Sequence, residues 1–436
     1  MKRTRDAAAI WTTVQTTTAA KLHTRRTKIT RLLASNSAAT TTTKKDKWAS
    51  SSDEDEDEDI QDLNRKTNSS SSSSSASNHS TNNHSTNNHS TSSHIQTARS
   101  INRYQKIKAI GEGQYGTVWM AKRKLKKKQN KANANKKRTN LVALKQIKLT
   151  SDISGAEGFP STALREINVL QSLHHPNIIK VHEVVVGTTT DQIYIVMDYV
   201  PVELGTLMVS MGETPFSISD SKCLIVQLLD AIEYMHERLF IHRDIKPTNI
   251  LYHGNGSNIG KLILCDFGLA KRISKPQTVN DPSLTPVVVT LYYRALEILL
   301  GDGCYDEAVD VWSIGCVFAE MILNKVLIQG KGEIDQISKI FSVVGAPNDA
   351  EIVLLNQLSN GSNMNWKEIQ KNNRKGSMCE VLHVLGEQGL DFLQKMFCYD
   401  PTLRMTAKEA KGHVFLSSNV TELKDMPKVL SETVKQ

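Results

Sequence analysis

Large aromatic side chains are scarce in this chain: Phe, Trp and Tyr supply 6% of its 436 residues and all apolar types 39%, less than a uniformly folded chain carries. The shortage falls on the first hundred positions, so folding throughout is excluded. Long apolar runs are missing too. None approaches the roughly 18 residues of a membrane-spanning helix, which excludes such helices and predicts no membrane partner. Cysteine pairs are absent. Cys223, Cys265, Cys304, Cys316, Cys379 and Cys398 show neither CxxC nor metal-ligand spacing, which points to a reducing compartment rather than a disulfide scaffold. Acid is lacking between Lys122 and Arg138, where ten Lys/Arg fall together. That insertion accounts for the net charge of +9 and leaves the remainder close to neutral.

Residues 1–100 are mostly Ser, Thr, Asn and Ala. They offer too little burial to offset the entropy of ordering, which predicts a disordered tail. Within it, the acidic run Asp53 to Asp59 repels itself and reads as a solvated interaction segment. His79, His84, His89 and His94 recur every five residues, a low-complexity expansion for which binding of a soft divalent metal is the alternative. The first 45 residues hold Asp6 as their only acid, a composition that also fits an organellar transit peptide.

Periodicity begins near Arg103. Tyr104 to Ile110, Thr117 to Ala121 and Leu141 to Leu149 show short alternating or β-branched patterns and predict a meander. A helix is predicted over Ser161 to Leu173, with Ala163, Ile167 and Leu170 on one face and Glu166 beside them. Ile178 to Val186 and Gln192 to Val200 predict two further strands. Beyond Pro201 the period becomes helical, as in the stripe Leu224, Leu228, Ile232 and Met235, with Asp220 near its start. The prediction is an α+β, bilobal chain: a strand-rich small lobe over 101–200, broken by the basic insertion 122–138, and a larger, mainly helical lobe over 201–416. The seam falls at Met197 to Glu203, and 417–436 form a C-terminal tail.

Three motifs carry chemistry. Gly111, Glu112, Gly113, Gln114, Tyr115 and Gly116 form a Gly-x-Gly-x-x-Gly turn between predicted strands. Its glycines let backbone amides approach phosphates, although a tight hairpin explains them equally well. A dinucleotide fold needs a helix next, whereas Thr117 to Ala121 reads as strand, which excludes it. Lys145 lies on a predicted buried strand, where an unpaired ammonium costs several kcal/mol. Glu166 is an apt partner; a snorkelling surface lysine is the plain alternative. Finally, His242 to Asn249 reads HRDIKPTN, and seventeen residues after Asn249 comes Asp266-Phe267-Gly268. Two carboxylates and an amide at these spacings can divide three tasks: Asp244 orients and deprotonates a hydroxyl, while Asn249 and Asp266 hold magnesium through oxygen.

In this order and spacing the motifs mark a resemblance: from about Tyr104 to Phe415 the chain resembles a eukaryotic protein kinase. Pro160 to Glu166 is similar to the cyclin-contacting helix of cyclin-dependent kinases. Glu157 to Pro160, Thr285 to Thr290 and Glu333 to Ile337 look most like the PITSLRE-type, cyclin-L-associated branch. The resemblance implies ATP and Mg2+ as cofactors and a pocket walled by Ile110, Val118, Ala143 and Leu251, with Met197 at its back. Adenine would bond to the backbone of Asp198 and Val200, Glu203 would face the ribose, and Lys246, a mark of serine/threonine kinases, would contact the γ-phosphate. Asp310 would brace the catalytic loop and Glu297 would pair with Arg404; ordinary helix-surface charges are the alternative for both. Thr285 would be an activating phosphosite gathered by Arg165, Arg243 and Lys271, and Tyr115 an inhibitory one. Val289, Thr290 and Arg294 would shape a substrate pocket for Ser/Thr-Pro.

Three departures stand out. Leu296 replaces the proline of Ala-Pro-Glu, which removes a preset φ and would loosen the substrate-binding segment. Gln114 replaces a threonine beside Tyr115. Lys271 stands for an arginine and lacks its bidentate fork. The basic insertion reads as a solvated loop, a nuclear-import signal, or a patch for nucleic acid or an acidic partner. The function expected is a nuclear, cyclin-dependent, proline-directed serine/threonine kinase acting in transcription, RNA processing or the cell cycle. The alternative is a pseudokinase scaffold. Pseudokinases typically lose the lysine or one of the two aspartates, and here Lys145, Asp244 and Asp266 are all kept.

Overall fold

The structure, a computed structural model, describes residues 99–113, 116–124, 140–147, 150–151, 157–158, 161–188, 192–254, 256–273, 291–301, 305–417 and 419–427. The acidic run, the histidine repeat and most of the basic insertion lie outside these residues, as do Gln114, Tyr115, Thr285, Val289 and Thr290.

The small lobe is a six-stranded sheet in the order β1-β7-β8-β4-β3-β2. Its strands are β1 (Arg99–Ser100), β2 (Tyr104–Gly113), β3 (Gly116–Arg123), β4 (Leu141–Ile147), β7 (Val181–Val186) and β8 (Ile193–Asp198). Two-residue strands β5 (Thr150–Ser151) and β6 (Glu157–Gly158) pair separately. Alternation along β4 sends Val142 and Leu144 to one face, where they pack with Tyr104, Ala121, Val185, Tyr194 and Val196. Ala143 and Ile147 face the other way, into the main core. Edge strand β2 is exposed, bears Lys106 and Lys108, and carries two register shifts against β3; charge and bulges both discourage edge-to-edge pairing.

Helix α1 (Ser161–Ser172) buries Ala163, Ile167 and Leu170, the face read from the sequence. It stops one residue short of the predicted end, ahead of Pro176, which biases the residue before it away from helix. Regular structure starts at Arg99, two residues inside the predicted tail, because β1 pairs in parallel with Val185 and Val186. A side-chain cluster fixes that pairing. Glu183 accepts from Arg99 (2.7 Å), Arg103 (3.2 Å) and the Tyr104 hydroxyl.

A short sheet ordered β12-β11-β9 opens the large lobe, with β9 at Val202–Glu203, β11 at Ile250–Tyr252 and β12 at Leu262–Leu264. Strand β10 (Phe240–Ile241) pairs with β13 (Lys271–Arg272). Helices α2 (Leu204–Ser210), α3 (Ile218–Glu237), α4 (Leu296–Leu299), α5 (Ala308–Leu323) and α6 (Glu333–Val344) supply the core. Ser217 caps α3 by accepting from the Asp220 amide (3.0 Å), and the predicted stripe from Leu224 to Met235 is fully buried. Helix α5 is apolar almost all round, as a helix at the centre of a core must be. Among the described residues no helix is long and apolar enough to cross a membrane.

Candidate active site

A cleft of about 760 Å³ is lined by β2, β3, β4, α1, the 197–203 segment and residues 246–251. Ile110, Gly111, Glu112, Gly116 and Val118 border it from β2 and β3. Ala143, Met197, Asp198, Val200, Glu203 and Leu251 complete the predicted nucleotide wall. Ile179, Thr206 and Cys265 also line it and were not anticipated. Cys265 was within reach, since it directly precedes Asp266; no motif marks Ile179.

Antiparallel pairing sets Lys145 opposite Val118 on one side and Ile195 on the other. From there its Nζ donates to both Glu166 oxygens at 2.8 Å and to Asp266 Oδ1 at 3.0 Å. A snorkelling lysine is thereby excluded. Burial alone would lower the ammonium pKa, but the two facing carboxylates outweigh it and hold Lys145 above the usual lysine range. Burial likewise presses Asp266 upward, yet Lys145 holds it below the ordinary carboxylate value.

The catalytic-loop candidates converge. Asp244 Oδ2 accepts from Lys246 Nζ and from Asn249 Nδ2, each at 2.8 Å. A third bond from Asn249 Nδ2 to the Asp244 carbonyl (2.8 Å) commits the amide nitrogen and turns its oxygen the other way. Arg243 has φ +72° and Asp266 φ +61°, left-handed values that cost energy in residues with a Cβ. The first is braced by Asp310. Fully buried, it accepts from the amides of His242 and Arg243 at 2.8 Å and pairs with His236 at 3.0 Å. Against a burial that would raise it, the His236 bond holds the Asp310 carboxyl below its usual pKa.

Glu297 and Arg404 meet at 2.7 and 3.0 Å, both buried, so the surface-charge alternative fails for this pair. Leu296 is the first residue of α4 and is fully buried, filling the place of the missing proline with a packed side chain. Arg243 donates to Leu269 O (2.6 Å) and the Tyr305 hydroxyl (2.8 Å), while Lys271 sits on β13 against Ile241. Arg165 is half-buried on α1. Arg294 reaches Glu333 at 3.3 Å. The positions these cations were predicted to serve, Thr285 and Val289, lie outside the described residues.

Among the described residues no group of three or more His, Cys, Asp or Glu could hold a metal unaided. One carboxylate, Asp266, and one amide oxygen, Asn249, fit a hard cation that takes its remaining ligands from phosphate and water, as Mg2+ does.

Residues 104–416 match the family described as Protein kinase domain. The chain is 38% identical over 321 residues to the Dictyostelium discoideum protein named "Probable cyclin-dependent kinase 10", covering 74% of this chain and 81% of that one. It is 39% identical over 321 residues to "Cyclin-dependent kinase 11B" of Mus musculus and over 326 residues to "Cyclin-dependent kinase G1" of Arabidopsis thaliana. These alignments span 38% and 49% of those longer relatives.

Proposed function

The chain belongs to the protein kinase family, and on that premise we propose that it is an ATP-dependent serine/threonine kinase of the cyclin-dependent type. The observation that carries this is the closed cluster of Lys145, Glu166 and Asp266 in one cleft with Lys246 and Asn249, the last two both bonded to Asp244. In that reading Asp244 aligns the attacking hydroxyl and takes its proton, and Lys246 neutralises charge on the transferred phosphoryl group. Lys145, fixed by Glu166, holds the inner phosphates. Mg2+ held by Asn249 and Asp266 would supply positive charge to the phosphates.

Finer assignments follow from the resemblance. The partner is a cyclin, of the cyclin-L kind, and the substrates are nuclear proteins bearing Ser/Thr-Pro. Phosphate on Thr285 adds about −1.5 to −2 charge for Arg165, Arg243 and Lys271 to gather. The resemblance implies a preference for proline after the phosphoacceptor, since in that family the valine matched by Val289 turns its carbonyl toward the arginine matched by Arg294 and leaves no acceptor for a substrate N–H. An unpaired donor costs ~1–3 kcal/mol, and proline has none to leave unpaired.

The test is phosphate transfer by the purified cyclin complex to two peptides that differ only as Ser-Pro and Ser-Ala. A preference of roughly tenfold to a hundredfold is expected in kcat/KM. Asp266→Asn should lower turnover by orders of magnitude; equal activity of the two proteins would end the kinase reading, and parity of the peptides would end the proline preference alone.

A further inference from the structure

Beyond residue 416, where the match to the protein kinase domain stops, the chain turns back along the large lobe. The Thr421 amide donates to Ser219 O at the start of α3 (3.3 Å), and Leu423–Asp425 make a single 3-10 turn. Between 419 and 427 only Met426 is buried, at 2% exposure. It lies on the turn that joins β11 to β12. Gly260 in that turn has φ +76°, and a Cβ placed there would stand 2.6 Å from Met426 Cγ and 2.9 Å from Leu423 O. Neither the backbone conformation nor the space admits another residue while the segment is docked. Next to Met426, Pro427 O accepts a 2.6 Å bond from the Tyr252 hydroxyl, which belongs to a fully buried side chain.

Tyr252 ends β11, and side chains alternate across a strand. Leu251 faces the cleft. Tyr252, its neighbour, faces the returning segment. The open end of the same hairpin carries the two metal candidates: Asn249 precedes β11, Asp266 follows β12, and the Cys265 amide ties them by donating to Asn249 O at 2.9 Å. Strands of three residues rise roughly 10 Å, so the grip on the turn and the chemistry at the mouth are ends of one short lever.

We infer that residues 419–427 are a strap whose anchors, Met426 and the Tyr252–Pro427 bond, position the β11–β12 hairpin and so set the cleft's affinity for nucleotide. Without it the Tyr252 hydroxyl loses its bond to Pro427 O and Gly260 its packing against Met426, so the hairpin loses both outer anchors. Met426 and Tyr252 are positioning residues that act through Leu251, Asn249 and Asp266. The inference rests on the kinase reading of the cleft, so the two must be able to fail separately.

Linkage supplies a test that needs no variant: if the strap tightens nucleotide binding, bound nucleotide must tighten the strap by the same factor. Hydrogen exchange of amides 420–426 in the full chain should slow about tenfold when Mg2+ and ATP saturate the cleft. Displacement of a fluorescent nucleotide should show about tenfold weaker ATP binding for Met426→Ala and for a chain ending at Ser417. Tyr252→Phe should weaken binding in the full chain and add nothing in the shortened one, since contacting groups are not additive. Phe341→Leu, a core change in α6, should lower the unfolding temperature and leave ATP affinity alone, which separates positioning from bulk stability. Exchange at 420–426 indifferent to bound ATP, or unchanged ATP affinity in Met426→Ala, overturns the strap. Failure of the full chain to bind ATP overturns the kinase reading instead.

Discussion

Arg404 and Glu297 are opposite charges with almost no access to water, 107 positions apart in sequence and joined by two bonds. Arg404 also donates to Ala308 O and Cys398 O at 3.0 Å, so four of its five N–H donors are engaged. Breaking a buried pair by removing one partner leaves an uncompensated charge and costs about 3–5 kcal/mol. Arg404→Ala should therefore lower unfolding free energy by about that amount, read from the urea midpoint at unchanged slope. The Lys145 cluster makes a different, pH-dependent claim. Its ammonium is held above the usual lysine pKa, so the stability it contributes is complete below the unfolded value and is lost only as pH rises through the raised one. Asp266 is held low, so its contribution is present above the unfolded carboxylate value and is lost as pH falls through the lower folded one. Neither window touches neutrality. ATP affinity, measured by displacement titration at saturating Mg2+, should accordingly show no step from Lys145 or Asp266 between about pH 6 and 9, and a step within that range would point to Glu166, whose carboxyl is raised above its usual value by burial, or to a group outside the cluster.

At the level of single elements, α4 shows how a departure from the family pattern is absorbed. Ala295, just before it, has φ −65° and ψ 152°, a conformation that a following proline accepts. Leu296→Pro should therefore fit the backbone at the first helical position. What it removes is a fully buried side chain, so unfolding should become easier by about 1–3 kcal/mol while kcat/KM stays within about twofold. Loss of activity in this variant would show that Leu296 does more than pack. Elements of this kind also mark what a sequence discloses. The core face of α1, the stripe of α3 and the strands of the small sheet were legible because local periodicity encodes which face is buried. Strand β1 was not, since two residues carry no period. A carboxylate 84 positions away holds it. The strap escaped for the same reason: a polar run with one buried methionine looks like a tail until Met426 is seen packed against Gly260. In the site, residues belonging to motifs could be named in advance, while Ile179 and Thr206 reach the cleft only through the way the lobes meet.

For the molecule as a whole, the Lys145–Glu166 contact is where the small lobe reports the state of α1 to the cleft. Glu166 is buried and engaged, whereas Leu164, two residues before it, leaves 48% of its surface exposed. An exposed leucine between Ala163, which is buried, and Arg165 presents an apolar point on the outer side of the very helix that must stay inward. A partner seated there would stabilise the inward state by its differential affinity alone. If the inward state of the isolated chain is sampled a few per cent of the time, binding can raise activity by one to two orders of magnitude and no further. Leu164→Glu should then leave the unfolding temperature almost unchanged, because an exposed side chain contributes within about 0.5 kcal/mol. It should also abolish the rise in kcat/KM on titration with cyclin, since a carboxylate would be buried unpaired in the interface. Full stimulation of Leu164→Glu by cyclin would place the partner elsewhere on the lobe, and full activity of the rigorously purified single chain would show that α1 needs no partner.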